Sequence, residues 1–448
     1  MTMQTRPGAL LRLSMTGSLT GLAALLLLAL TGLAAQATAI QRIVSPGGIE
    51  AWLVEDHTVP LIALNFSFEG GSTQDPDGKE GVTRLLAATL DEGAGELTSE
   101  AFQARLEELA VSISFNAGMD RFYGSLRSLT DTGEDAFDLL HLALSAPRFD
   151  EDAVDRMKSQ IVSGLKRETR DPDAIASKAF MRAAFPDHPY ARPSNGTETS
   201  VPALTRDDLV AQHRRLVARK GLTIGVVGAI DADTLSVLLD RTFAGLPEQG
   251  DLVPVAETQP ETGIRVDETL DVPQTTVLLG LPGPKRDDPD YQSAFVMNHI
   301  LGGGSFTSWL YREVREKRGL SYSVGTDLSP YDRSGVLFAS GATRADRASE
   351  TLDIILQQFE RMAADGPTPE DLAKAKSFLT GSYALRFDTS GKIAGQLVAL
   401  QNAGLGIDYF DRRNAEIEAV TLEDVKRVAQ RYLAGKTPTV VTVGPATN

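Results

Sequence analysis

Five histidines, His57, His141, His188, His213 and His299, are scattered along 448 residues, and no two stand at the i, i+4 spacing that lets one helix face hold a metal ion. There is no cysteine, which excludes disulfides, thiol nucleophiles, iron–sulfur clusters and thiolate zinc sites. His141 falls on the apolar helix face set by Phe137, Leu140 and Leu144 and reads as a packed core histidine; His188, in Pro186-Asp-His-Pro-Tyr190, reads as a turn residue. Asp91-Glu92 most simply marks the polar end of a helix. Gly391-Lys392 is followed by Ile393 and lacks the earlier glycine of a phosphate-binding loop, so nucleotide binding is unsupported. Asn195-Gly-Thr197 matches a glycosylation acceptor, a pattern too short to carry weight.

The elements that would position any site come from composition and periodicity. With 42% hydrophobic and 23% charged residues the chain is globular, and its length suggests two or three domains. A net charge of −16 argues against nucleic acid as a main partner, because phosphate binding needs a basic footprint. Met1–Ala39 has Arg6 and Arg12 as its only charges, then a Leu/Ala-rich run and the small-residue pattern Ala37-Thr38-Ala39. It reads as a secretory signal, the alternative being a retained membrane anchor. A soluble periplasmic or exported protein is the corresponding expectation.

From Ile40 onward strands and helices alternate. Ala51–Val54, Leu61–Phe68, Val111–Phe115 and Phe122–Leu129 read as strands, and Gly81–Leu90, Ser99–Leu109 and about Asp150–Glu168 as helices. The second half repeats the plan. Val59-Pro60 before an alternating strand is echoed by Val272-Pro273 before Thr275–Leu281, and Phe149-Asp-Glu-Asp by Pro367-Thr-Pro-Glu-Asp. Leu352, Ile355, Leu356, Phe359 and Met362 form the apolar stripe of a second-half helix. The spacing predicts two homologous domains, 40–245 and 263–448, joined by a tether at 246–262.

Four landmarks then coincide: Gly71-Ser72 followed by a helix opening at Gly81-Val82; a Ser-initiated helix with Leu-Glu-Glu-Leu at 106–109; Gly302-Gly303-Gly304-Ser305 before a helix; and Val314-Arg-Glu-Lys-Arg-Gly-Leu-Ser-Tyr-Ser-Val324. Together they resemble the pitrilysin/insulinase-type zinc peptidases, the M16 family, in the short two-domain form shared with the mitochondrial processing peptidase. The resemblance implies an α+β fold of two homologous domains, each an antiparallel sheet with packed helices.

Catalytic members of that family carry H-x-x-E-H on the first helix after the Gly-Ser turn, with two histidines one turn apart and a glutamate as general base. Here that helix reads Gly81-Val-Thr-Arg84-Leu-Leu-Ala87-Ala88-Thr89. The resemblance places Arg84 and Ala88 at the histidine positions and Ala87 at the glutamate. The family's third ligand, a glutamate on the long helix, falls near Gly164. No metal is expected on this chain, and zinc is expected on a partner subunit with an intact H-x-x-E-H.

The second domain retains a different piece. In catalytic members an arginine and, seven residues later, a tyrosine face the metal across a closed chamber; Arg315 and Tyr322 match that spacing. A fixed cation and a phenol can stabilise the oxyanion of a tetrahedral state. Alternatively, Arg315, Lys317 and Arg318 solvate a helix end and Tyr322 is an ordinary strand aromatic. Gly302–Gly304 is either a substrate-handling loop or a tight turn capped by Ser305. The implied function is the zinc-less, Arg/Tyr-bearing subunit of a heterodimeric metalloendopeptidase that acts on peptides and is not active alone; the alternative is a non-catalytic scaffold or peptide-binding module.

Overall fold

The computed structural model describes residues 40–446, so the Met1–Ala39 segment lies outside the described residues. The first half runs β1 (Ile40–Val44), β2 (Glu50–Glu55), β3 (Leu61–Glu69), α1 (Val82–Thr89), α2 (Ser99–Glu108), β4 (Ser112–Ala117), β5 (Arg121–Leu129), α3 (Gly133–Ser145), α4 (Glu151–Glu168), α5 (Pro172–Ala184), α6 (Ser200–Ala203), α7 (Arg206–Leu216), β6 (Thr223–Gly228) and α8 (Ala232–Leu239). The second runs β7 (Arg265–Thr269), β8 (Gln274–Pro282), α9 (Tyr291–Asn298), β9 (Gly325–Pro330), β10 (Gly335–Arg344), α10 (Ala348–Ala364), α11 (Pro369–Gly381), α12 (Ser390–Asn402), α13 (Tyr409–Ala419), α14 (Leu422–Leu433) and β11 (Thr439–Gly444).

Two sheets result, ordered β1-β2-β6-β3-β5-β4 and β7-β11-β8-β10-β9. Apart from the extra edge strand β1, the orders are the same, down to one parallel pair in each, β2 with β6 and β7 with β11. The remaining pairs are antiparallel. The fold is therefore α+β, with two antiparallel-dominated sheets and packed helices. Capping repeats as well: Thr205 with Asp208 opens α7, and Thr421 with Asp424 opens α14, each a reciprocal box that satisfies end N–H groups.

One face of each sheet carries its own half's helices over a large apolar core. The other face is covered from the opposite half. Helix α5 packs on β8 and β11, placing Phe180 and Ala176 with Val441 and Val443. Helix α12 packs on β3 and β6, and Ala394 and Leu397 join Trp52, Val54 and Val227. Small residues permit both approaches. A Cβ on Gly280 would fall 2.1 Å from Phe180 Cζ, and one on Gly225 would fall 2.5 Å from the Ala394 carbonyl oxygen. Polar contacts fix the register: Thr276 donates to Asp173 at 2.9 Å, Thr223 to Asn402 Oδ1 at 2.9 Å, and Asn402 Nδ2 to Ser67 at 3.0 Å.

The segment expected as a tether is held along its length. Gln74 bonds both ways with the Val253 backbone, His188 Nε2 lies 3.0 Å from the Ala256 carbonyl, and the Thr258 and Glu261 amides donate to Arg333 and Ala184 carbonyls. Its residues are polar because they cross a surface, yet backbone groups of both halves engage them. A half-buried Asp120 carboxylate adds a further tie, accepting from the Tyr190 hydroxyl at 2.9 Å and from the Asp332 amide at 3.0 Å.

The exchanged helices are structurally decisive, so Phe180→Ala is expected to destabilise the chain by about 3–5 kcal/mol. Urea unfolding would measure it; a loss under 1 kcal/mol would mean that α5 contributes little.

Candidate functional site

Helix α1 is positioned by a buried carboxylate. Asp75 accepts from the Gly81 amide at 2.8 Å and from the Thr83 amide and hydroxyl at 3.2 and 2.5 Å, so it satisfies N–H groups at the helix start. Gln212 of α7 donates to Thr83 at 2.8 Å and locks this corner. Gly81 at φ 89° provides the left-handed turn into the helix. Burial pushes the Asp75 carboxyl up to about 6.

Arg84 and Ala88 of α1 face Gly164 of α4 across a cavity of about 1010 Å³. The three ligand positions inferred from sequence are thus brought together, whereas Ala87 turns into the core at 3% exposure. The donor set does not fit a zinc ion. Arg84, Arg156 and Arg167 line the cavity against one carboxylate, Glu168, and no histidine. Glu168 is already engaged by Lys178 at 2.5 Å and Asn195 at 3.1 Å. No group of three or more potential ligands that could hold a metal occurs among the described residues. A cation here would meet guanidinium groups and methyls, so no metal-dependent step can be assigned to this chain.

Arg315 and Tyr322 lie elsewhere. Trp309, Leu310 and Val314 are buried, which anchors the π-helical turn Tyr311–Glu316 and leaves Arg315 half-buried. Gly319, at φ 61°, closes the helix with its amide on the Arg315 carbonyl and the Leu320 amide on that of Val314. The chain reverses and sets Tyr322 over Arg315. The guanidinium lies 5.1 Å from the Tyr322 ring centre and 4.9 Å from that of Tyr311. Neighbouring cations are neutralised: Lys317 and Arg318 pair with Glu313, and Arg312 with Asp371. Arg315 has no carboxylate partner among the described residues. Tyr322 is 79% exposed and Phe306 beside Tyr311 is 68% exposed. Neither Arg315 nor Tyr322 lines the cavity at Arg84.

Gly302–Gly304 ends a helix rather than opening one. His299–Gly303 continues α9 as a π-helical turn packed on β9, where a Cβ on Gly302 would stand 2.5 Å from the Thr326 nitrogen. Ser308, not Ser305, caps the next helix, accepting from the Tyr311 amide at 3.3 Å; Ser305 sits at φ 46°. Sequence reading placed the cap early because the last glycine is directly followed by serine.

A second cavity, of about 790 Å³, lies between the halves. It runs from Asn116 of β4, which also borders the Arg84 cavity, to Arg286, Tyr383, Tyr409 and Arg413. Sequence reading did not find this site, because its side chains come from segments far apart in the chain.

Fold and site together define a metallopeptidase-type scaffold whose ligand positions hold no ligands. Residues 51–198 match the profile described as insulinase (peptidase family M16), and residues 203–379 that described as peptidase M16 inactive domain. The "non-peptidase homolog YmxG" of Helicobacter pylori is 28% identical over 83% of this chain and 86% of its own. An "uncharacterized zinc protease" of Mycobacterium tuberculosis is 29% identical over 63% of this chain and 65% of its own. A crystal structure of a peptidase M16 inactive domain from Pseudomonas fluorescens superposes with a TM-score of 0.84 at 30% identity, covering 91% of this chain and 98% of that one. The chain belongs to peptidase family M16.

Two outcomes follow. A Cβ on Gly164 has nothing nearer than Arg167 at 3.8 Å, so Arg84→His/Ala88→His/Gly164→Glu should bind zinc near stoichiometry by elemental analysis while the natural chain does not. Stoichiometric zinc in the natural chain would overturn the site assignment. The Asp75 carboxyl is raised from 3.8 to about 6, so its stabilising effect is full below pH 3.8 and lost as pH rises through 6. Asp75→Asn should flatten part of the fall in unfolding free energy across that window; an unchanged slope would contradict it.

Proposed function

We propose that this chain is the zinc-less subunit of a heterodimeric M16-type metalloendopeptidase. Residues 40–245 and 263–448 act as its two domains, the second supplying Arg315 and Tyr322 to a partner chain with an intact H-x-x-E-H. The partner would bring the metal and the general base; the present chain would bring a fixed cation, a neutral O–H donor and half of the peptide chamber. The observation that carries this reading is the state of Arg315: unpaired among paired neighbours, held between two rings, beside an exposed phenol and away from the chain's own degenerate motif.

The chemistry suits the arrangement. The guanidinium keeps its charge at any working pH, and the rings restrict its motion without neutralising it. The Tyr322 hydroxyl donates to a developing oxyanion without ionising near neutrality. Peptide bound in extended form would gain sequence-tolerant main-chain hydrogen bonds. Within the proposed substrate loop Gly302–Gly304, contact would fall to Gly303 and Gly304, because Gly302 is buried against β9. Export to the periplasm accords with the character of Met1–Ala39, and no described helix is long and apolar enough to cross a membrane.

A second reading, a non-catalytic scaffold or peptide-binding module, is favoured by the name of the Helicobacter relative, a non-peptidase homolog. The two readings separate in the co-purified complex. Under the first, Tyr322→Phe and Arg315→Ala each lower kcat/KM about 100-fold or more, the loss typical of one oxyanion donor. Unchanged kcat/KM in both would favour the scaffold.

A further inference from the structure

The cavity between the halves holds both matched and unmatched charges. Arg121 pairs with Asp332 at 3.2 Å, and Lys285 and Arg333 share Glu257 at 3.0 and 3.6 Å. Arg286, Arg386 and Arg413 also line it, and none of the three forms an ion pair among the described residues. The cavity's two remaining carboxylates, Glu69 and Asp287, pair with none of them. A chain with a net charge of −16 thus gathers three unneutralised guanidinium groups at one place.

Arg413 is the most telling. It is 4% exposed, and only one of its nitrogens is used, donating to the Leu379 carbonyl at 3.1 Å and Asn414 at 2.9 Å. Its guanidinium lies 3.9 Å over the Tyr383 ring. Its other nitrogens are not sealed off from the cavity, so they stand open to an anionic ligand that brings the counter-charge the protein does not supply. Arg286 lies 4.1 Å over Tyr291 and donates to the Tyr409 hydroxyl at 2.7 Å, as does Gln292 at 2.7 Å. That phenol oxygen accepts twice, which leaves its own proton free to donate. Tyr291 and Tyr383 hydroxyls have no hydrogen-bond partner among the described residues.

We infer that this cavity holds a receptor for a peptide carboxylate, in which Arg286, Arg386 and Arg413 supply forked N–H donors and Tyr383 and Tyr409 supply O–H donors. Guanidinium groups match a carboxylate two bonds at a time, and the surrounding rings exclude competing water. The inference rests on the reading of this chain as peptide-binding. It extends that reading by naming the part of the peptide held and where. The carboxylate comes either from the peptide's C-terminus or from an acidic side chain.

Calorimetric titration of the purified chain, without any partner, tests it. The probes are an N-acetylated Ala/Gly heptapeptide with a free C-terminus, its C-terminal amide, the amide with one Glu, and inorganic phosphate. At least one carboxylate-bearing peptide should bind about ten-fold or more tightly than the neutral amide. Preference for the free terminus or for the Glu peptide assigns the source. Arg386 is exposed and makes no hydrogen bond among the described residues, so Arg386→Gln leaves the fold intact and should still weaken the acid several-fold, as should Arg286→Gln. Equal binding of acid and amide, binding of phosphate alone, or insensitivity to both variants would overturn the inference. Because no partner is present, such a failure leaves the roles of Arg315 and Tyr322 untouched.

Discussion

Each sheet in this chain completes its burial with a helix from the other half, and the rest of the structure depends on that exchange. A sheet with one naked apolar face is unstable in water, and neither half supplies both of its own covers. Helix α5 closes the second sheet over Gly280, and α12 closes the first over Gly225. The two copies of one plan therefore form a single compact body over the described residues 40–446. The cavity between them is a fixed feature of one polypeptide rather than a gap between loosely tethered domains.

On this frame the degenerate motif positions and the Arg315/Tyr322 pair lie apart. The place of the metal motif persists: α1 is still set by Asp75 and Gln212, and Arg84, Ala88 and Gly164 still converge. Its chemistry is gone, because guanidinium and methyl groups cannot bind zinc. The Arg/Tyr element is built with care, through a buried Val314, a left-handed Gly319 and two rings around one unpaired guanidinium. An unpaired, half-buried Arg315 beside an exposed Tyr322, on a chain whose own motif positions carry no ligands, is what the proposed role on another chain requires.

Much of this was legible in the sequence. Strands β3 and β8 are marked by apolar residues after Val-Pro, although, with both faces covered, they are buried almost throughout rather than on alternate residues. The order of landmarks was enough to find the degenerate positions. What stayed hidden is tertiary. Nothing local in the sequence of α5 or α12 tells which sheet the helix will cover, and the glycines beneath them are single residues with no local signature. Ser308 rather than Ser305 caps its helix because α9 runs on through the glycines, an effect of packing on β9. Arg286, Arg386 and Arg413 come together only through folding, each looking like an ordinary surface arginine in its own segment.

The central claim is that the exposed phenol at Tyr322 meets another polypeptide at its catalytic centre. Placing a photo-crosslinking p-benzoylphenylalanine at Tyr322 in the native envelope, then identifying the attached peptide by mass spectrometry, measures this directly. The account predicts a single heavy adduct to a chain carrying H-x-x-E-H, mapping close to that motif. An adduct confined to this chain, or to a protein lacking the motif, would contradict it.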